Sequence, residues 1–104
     1  MEDKELYTEK HFDFFWKNMN GSILDVFECI TTNHSNGISR RNLLSALDNP
    51  DNPNQIQHSS TKVLEAVNVL KFTGLIQYTE KRNIHIYSLS DEGIRFSEYI
   101  NTTH

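Results

Sequence analysis

The stretch that most constrains the fold of this 104-residue chain is Ser59–Gly74, which carries the start and stop signals of one helix. Three hydroxyl side chains open it and can accept hydrogen bonds from the first free backbone amides of a helix: Ser59, Ser60 and Thr61. Apolar residues then recur at helical spacing and predict one buried stripe: Val63, Ala66, Val67 and Leu70. Gly74 predicts the helix end, because glycine adopts the left-handed conformation of a helix C-terminus without steric penalty.

The opposite face of this predicted helix is polar. Lys62, Glu65 and Asn68 fall together there, and charged and amide groups of this kind can read base edges in DNA. Asn68 is the better candidate for such a contact, whereas Glu65 is more readily interpreted as a solvated surface residue. A capped amphipathic helix also occurs in many folds that never touch DNA, so the helix alone does not predict DNA binding.

A short hairpin with a basic tip comes directly after Gly74. The alternation of apolar and polar residues predicts strands over 75–80 and 83–89, with Lys81 and Arg82 at the turn. His85 is expected to point outward between Ile84 and Ile86. A helix that runs into such a hairpin predicts a winged helix-turn-helix, with the helix reading DNA and the hairpin as its wing.

The rest of the chain predicts four more helices and one short strand. The helices are expected over 8–19, 22–33, 39–47 and 90–101, and Ile38 is expected to add a strand to the wing. The fold class is therefore α+β, mainly α, with a two- or three-stranded wing sheet and one domain over 1–104, of which 1–7 are loosely held. Residues 48–58, with two Asn-Pro pairs, predict a connection longer than the usual helix-turn-helix turn.

The charge is divided along the chain. The net charge of −4 is unusual for a DNA-binding protein, but residues 34–88 hold six basic residues against four acidic ones. Residues 1–33 hold three basic residues against seven acidic ones, and residues 89–104 hold one against three. The basic residues therefore gather on the half of the chain that is expected to bind DNA.

The candidate DNA-binding residues come from three places. Arg40 and Arg41 lie in the first turn of the helix before the long connection, where they are equally well interpreted as phosphate ligands or as solvated arginines. The full set is Arg40, Arg41, Ser59, Ser60, Thr61, Lys62, Asn68, Lys81 and Arg82.

The first helix holds more aromatic surface than one small core needs. Phe14 lies off its apolar stripe, which suggests burial against a second copy of the chain, although a place at the edge of the core is the alternative. Together with the last helix, the expected dimerisation surface is Phe12, Phe14, Phe15, Trp16, Phe96 and Tyr99.

No constellation of residues indicates catalysis. The five histidines have no metal-ligand spacing with each other or with Cys29, and no glycine cluster precedes a Lys-Ser or Lys-Thr pair. Cys29 lies on an apolar helical pattern and is interpreted as a buried thiol, a sensing thiol being the alternative. We expect no enzyme activity, no metal and no cofactor. There is also no signal peptide and no apolar run that could span a bilayer, so the expectation is a cytoplasmic protein.

These motifs resemble those of known winged-helix proteins. Gly74-Leu75-Ile76, the basic turn and Ile86–Gly93 (IYSLSDEG) resemble regulators of the MarR and ArsR kind. With Val63, Val67 and Asn68 added, the pattern resembles more closely TubR, the centromere-binding family of tubulin-like (TubZ) plasmid partition systems, over roughly residues 23–100.

The resemblance implies a homodimer that binds repeated sites in a plasmid centromere, links them to a tubulin-like GTPase filament and represses its own operon. It also implies that paired recognition helices approach one major groove, while the wings reach the flanking minor grooves. By position, Ser60, Thr61, Lys62, Lys81 and Arg82 would contact double-stranded DNA. The connection over 48–58 departs from the pattern of that family.

Two alternatives remain open from the sequence. One is an ordinary MarR- or ArsR-like dimeric repressor that binds a single palindrome. The other is a winged helix that binds proteins and has lost DNA binding, as the acidic total suggests.

Overall fold

The computed structural model describes residues 7–19, 21–33, 36–48 and 59–103. These form five helices and three strands in the order α1 (Glu9–Asn18), α2 (Gly21–Thr32), β1 (Ile38–Ser39), α3 (Arg40–Asp48), α4 (Ser60–Thr73), β2 (Ile76–Lys81), β3 (Ile84–Leu89) and α5 (Asp91–Thr103). The prediction of a mainly helical α+β fold is confirmed, and each predicted helix lies within a few residues of its expected bounds. Residues 49–58, which include most of the predicted long connection, lie outside the described part.

The three strands form one antiparallel sheet in the order β1-β3-β2. The short strand predicted at Ile38 is confirmed, since Ile38 pairs with Tyr87 of β3. Tyr87 also pairs with Tyr78 of β2, so β3 is the central strand and the hairpin is tied to the segment that precedes α3.

Helix α4 begins and ends where its local signals predict. The Ser59 side chain accepts a hydrogen bond from the Lys62 amide at 3.3 Å, which satisfies one of the free donors of the first turn. Gly74 has a φ of 80° and ends the helix in the left-handed conformation, with its amide bonded to the Lys71 carbonyl.

One hydrophobic core joins all five helices to the sheet. Helices α2 and α4 face each other across it, and Tyr87 brings the sheet into the same cluster. Each of its fully buried aliphatic side chains stabilises the fold by about 1.5–3 kcal/mol relative to exposure. The buried apolar residues are Phe12, Val26, Phe27, Ile30, Ile38, Leu43, Val63, Ala66, Val67, Leu70, Leu75, Ile76, Tyr87, Leu89 and Phe96.

Phe12 and Phe96 were expected at a dimer surface, and the structure places them elsewhere. Both are buried in the core of the protomer, at 2% and 0% exposure, and their rings lie 5.3 Å apart between α1 and α5. They hold the first and last helices together within one chain, so we remove them from the dimer surface.

The start of α1 is anchored to the end of α4. The Tyr7 hydroxyl donates to the Thr73 carbonyl, and the Tyr7 carbonyl accepts a hydrogen bond from Arg95 Nη1 at 3.0 Å. Arg95 also forms an ion pair with Glu92 at 2.7 Å. Tyr7, which we expected to be loosely held, is therefore fixed, whereas residues 1–6 lie outside the described part.

Helix α5 is anchored at the same place. The Ser90 amide donates to the Leu75 carbonyl at 3.1 Å, and the Ser90 hydroxyl donates to the Gly74 carbonyl. A Cβ on Gly93 would lie 1.9 Å from the Leu75 carbonyl oxygen, so only glycine allows this approach. We call residues 73–75 the joint, because both terminal helices attach to it.

Candidate nucleic-acid interface

The N-terminal half of α4 presents polar groups to solvent. Lys62 and Asn68 are exposed as predicted, and so is Glu65. Ser59, Ser60 and Thr61 are exposed at the helix start, where free amides and the helix dipole favour an anion such as a phosphate. The arrangement offers donors to a DNA backbone at one end of α4 and amide and charged groups along its outer face.

The same outer face carries two apolar residues that were not predicted to be exposed. Phe72 is 92% exposed and Val69 is 38% exposed, although both lie on a well-packed helix. A helical projection could have found them, because residues 65, 69 and 72 recur at spacings of four and three. Because Val69 and Phe72 lie one helical turn apart, they offer a small apolar surface to another molecule.

The wing turn has a two-residue geometry. Arg82 and Asn83 have φ angles of 54° and 68°, which is the pair of positive angles found in type I′ hairpin turns. Asparagine is common in this conformation, but arginine is not. The turn is therefore Arg82-Asn83, one residue later than predicted, and Lys81 is the last residue of β2. Lys81 and Arg82 are both exposed, so the tip of the hairpin presents two adjacent cationic side chains.

The inner face of the wing carries a stack of aromatic and charged side chains. Lys71 Nζ from α4 lies 4.0 Å from the centroid of the Tyr78 ring, and this ring stacks on His85 with centroids 5.7 Å apart. His85 Nε2 lies 3.9 Å from Glu80 Oε2. We call these four residues the wing stack; it attaches the hairpin to the C-terminal half of α4.

The predicted outward direction of His85 is wrong. Its side chain is only 23% exposed, whereas Ile84 is 54% exposed. Tyr87 and Leu89 are buried, and because side chains alternate along a strand, His85 falls on their side of the sheet. Ile84 and Ile86 therefore occupy the outer face.

The two arginines of α3 differ in their surroundings. Arg40 Nε donates to the Tyr87 hydroxyl at 3.1 Å, so this arginine is partly buried and links α3 to the central strand. Arg41 is exposed. Of the pair, Arg41 has the side chain that can reach a phosphate without leaving an internal contact.

The remaining residues expected at the dimer surface differ in exposure. Phe14 is 62% exposed, whereas Phe15 and Trp16 are half-buried. Tyr99 is also half-buried, and its hydroxyl donates to Asp13 Oδ1 at 3.1 Å. Phe14 is thus the member of this group that a second copy could cover most fully.

Three further features of the described residues concern a metal site, the Cys29 thiol and a membrane span. Among residues 7–19, 21–33, 36–48 and 59–103, no group of three His, Cys, Asp or Glu side chains is arranged to hold a metal ion. Burial, and to a lesser extent the nearby Glu28 carboxylate, raises the pKa of the Cys29 thiol, so the reactive thiolate is disfavoured. None of the helices described is both long and apolar enough to cross a bilayer.

No family model matches this sequence, and no curated protein matches it either. Solved structures do. The structure of a type III plasmid segregation protein, TubR, superposes with a TM-score of 0.70 at 17% identity and covers 100% of this chain and 94% of that one.

Two further structures are winged-helix regulators of the MarR family. A variant of S. aureus MepR bound to an oligodeoxyribonucleotide has a TM-score of 0.68 at 13% identity, over 90% of this chain and 64% of that one. PcaV from Streptomyces coelicolor, in complex with its natural ligand, has a TM-score of 0.59 at 16% identity, over 98% and 77%. At these identities the likeness establishes the fold: the chain is a winged helix of the kind found in TubR and in MarR-type regulators.

Proposed function

We propose that this protein is a sequence-specific DNA-binding dimer that assembles on repeated sites of a plasmid centromere and links them to a tubulin-like partition filament. It would also repress its own operon. The observation that carries the proposal is the pairing of an exposed, capped α4 with a wing whose tip presents Lys81 at the end of β2 and Arg82 in the turn. The likeness to TubR over nearly the full length of both chains favours a centromere role.

DNA contact follows from the shape and charge of this surface. A helix with its side chains is about 10–12 Å wide and fits the major groove, which is about 12 Å wide. Asn68 would then face base edges, where an amide can form a bidentate pair with adenine. The serines and threonine at the start of α4, with Lys62 and Arg41, would contact phosphates, and Arg82 would reach the backbone or the minor groove from the wing.

Dimerisation follows from the exposed apolar residues. Phe14 on α1 and Phe72 on α4 expose large rings that a second copy would bury, and Val69 lies beside Phe72 on the same helix face. Contact through α4 would bring two recognition helices side by side, so that one dimer reads two adjacent half-sites.

An ordinary repressor is the second candidate. The likeness to MepR and PcaV favours it, since both share the fold, MepR was solved with bound DNA and PcaV is a transcriptional regulator. Such a protein would bind one palindromic operator and would not spread along repeats. A winged helix that binds only proteins is the third candidate, and the net charge of −4 favours that one.

Footprinting of the purified protein across its own upstream region distinguishes these candidates. Cooperative, evenly spaced protection over a long region is expected for the centromere protein, and one short protected palindrome would identify the ordinary repressor. A titration of the same DNA at low and at moderate salt completes the test. Absence of binding at both salt concentrations would reject DNA binding and favour the protein-interaction candidate.

A further inference from the structure

We propose that a groove between α1, α2 and α5 is the docking site for a short amphipathic, basic segment of a partner protein. The groove has a volume of about 490 Å³, within the range of about 300–1,000 Å³ that is typical of ligand sites. Its apolar wall is formed by Trp16, Leu24, Phe27 and Ile100, which come from all three helices. None of the candidate DNA-binding residues lines it.

The polar lining of the groove is acidic. Asp25 and Glu28 supply two carboxylates one helical turn apart on α2, and the other polar side chains are the neutral Thr31, Thr32, Ser97 and Asn101. No Lys or Arg occurs among the described residues that line the groove. An occupant must therefore combine apolar surface with positive charge.

The acidic lining decides between classes of occupant. The carboxylates of Asp25 and Glu28 repel the phosphates of DNA, which excludes the groove as an extension of the nucleic-acid surface. Two copies that met groove to groove would place these carboxylates opposite each other, which disfavours a symmetric self-contact. A segment that carries Lys or Arg beside leucine-like side chains satisfies both parts of the lining.

The expected mode of binding is helix-in-groove. Apolar side chains three or four residues apart on the partner would contact Trp16, Leu24 and Ile100, while a flanking Lys or Arg would reach Glu28. Because exposed ion pairs contribute little free energy, the apolar contacts supply most of the affinity and the carboxylates select the sign of the partner's charge.

The fluorescence of Trp16 reports directly on occupancy of the groove, because Trp16 is the only tryptophan in the chain and it lines the groove. The probe is a synthetic amphipathic Leu/Lys peptide without tryptophan, compared with a Leu/Glu peptide of the same pattern, both titrated into the full-length protein. We expect a saturable change of Trp16 emission with the Leu/Lys peptide only.

Matched variants test the site. Glu28→Lys is expected to weaken binding of the Leu/Lys peptide at least about fivefold, because it reverses a charge in the lining. Glu98→Lys makes the same change at an exposed position of α5 that does not line the groove, and its effect should stay below about twofold. Both proteins should retain the DNA footprint, so a failure of this proposal is separable from a failure of DNA binding.

Several outcomes would overturn the proposal. These are the absence of any emission change with either peptide, equal responses to the two peptides, or equal losses in Glu28→Lys and Glu98→Lys. Saturable binding of a small quaternary ammonium compound without binding of the peptide would instead indicate a small-molecule site. A change in the sedimentation of peptide-free protein caused by Glu28→Lys would indicate that a second copy occupies the groove.

Discussion

The two halves of this winged helix differ in charge more than in packing. Helices α1, α2 and α5 together carry seven carboxylates and three basic side chains, whereas α3, α4 and the sheet with its turn carry six basic side chains and three carboxylates. Both halves contribute to the same core. The comparison shows that a net charge of −4 says little about DNA binding, because the potential near a surface depends on where the charges lie.

The largest effect is expected on dimerisation. It tests whether the dimer contact lies in the acidic half, in the basic half or in both. Phe14→Glu in the acidic half and Phe72→Glu in the basic half should each give a monomer in analytical ultracentrifugation. Each symmetric dimer loses two buried rings, which weakens association by about 3 kcal/mol or more. Ile84→Glu is the control, because Ile84 is similarly exposed, at 54%, on the outer face of the wing. A dimer that persists in one of the two phenylalanine variants would place the interface in the other half.

The next effect tests the connection between the halves. Gly93→Ala should lower the free energy of unfolding by about 2–3 kcal/mol, because the new Cβ would collide with the Leu75 carbonyl oxygen and force α5 away from the joint. Urea denaturation of the two proteins measures the difference. Gly21→Ala is the control: an added Cβ meets nothing within 4 Å there, so stability should be unchanged or slightly higher. Equal stability of Gly93→Ala and the parent protein would show that the two halves are not held together at this contact.

A smaller effect tests the assignment of DNA contacts to the basic half. Lys62→Ala and Arg82→Ala should each weaken DNA binding by about tenfold at 0.1 M salt and reduce the slope of log affinity against log salt by about one unit. Fluorescence anisotropy over a series of salt concentrations measures both quantities. Lys17→Ala, an exposed lysine of α1, should change neither of them. Unchanged slopes in both test variants would remove α4 and the wing as the phosphate-binding surface.

The smallest effect is expected at Arg82, where one substitution should raise stability and weaken DNA binding. Arg82→Asn should raise the free energy of unfolding by about 0.5–1 kcal/mol, since asparagine accepts the positive φ that arginine adopts here, and it should weaken DNA binding. Lys81→Asn places the same side chain at the end of β2 and should not stabilise the fold. Arg82 adopts a backbone conformation that is unfavourable for arginine, and we attribute its presence there to its positive charge. A less stable Arg82→Asn protein would contradict this explanation.

Local signals explain what could be predicted from the sequence. The ends of α4 depend on Ser59 and Gly74 themselves, so they could be predicted. The wing hairpin could also be predicted, but its turn lies at Arg82-Asn83, one residue later than expected. The direction of His85 could not be predicted, because the phase of the alternation is set by burial of Tyr87 and Leu89 against helices distant in sequence.

The surroundings of the aromatic side chains were the least predictable feature of the sequence. The sequence indicates that Phe12 and Phe96 need burial, but it does not say whether their own chain or a second copy covers them; the structure assigns them to the protomer's core. The position of Phe72 was predictable in part. A helical projection places Phe72 on the same face as Glu65 and Val69, but its exposed fraction of 92% depends on how the helix packs in the folded chain.

In a dimer of this protein, the joint would fix the spacing of the two DNA half-sites. Tyr7 and Ser90 fasten both terminal helices within two residues of the end of α4, so no hinge separates the surface of α1 from the recognition helix. In a dimer held partly through α1, the angle between the two protomers would be passed rigidly to the two α4 helices. The packing of the protein would then fix the distance between the two DNA half-sites before DNA binds. A site with an added or deleted base pair between its half-sites would bind more weakly.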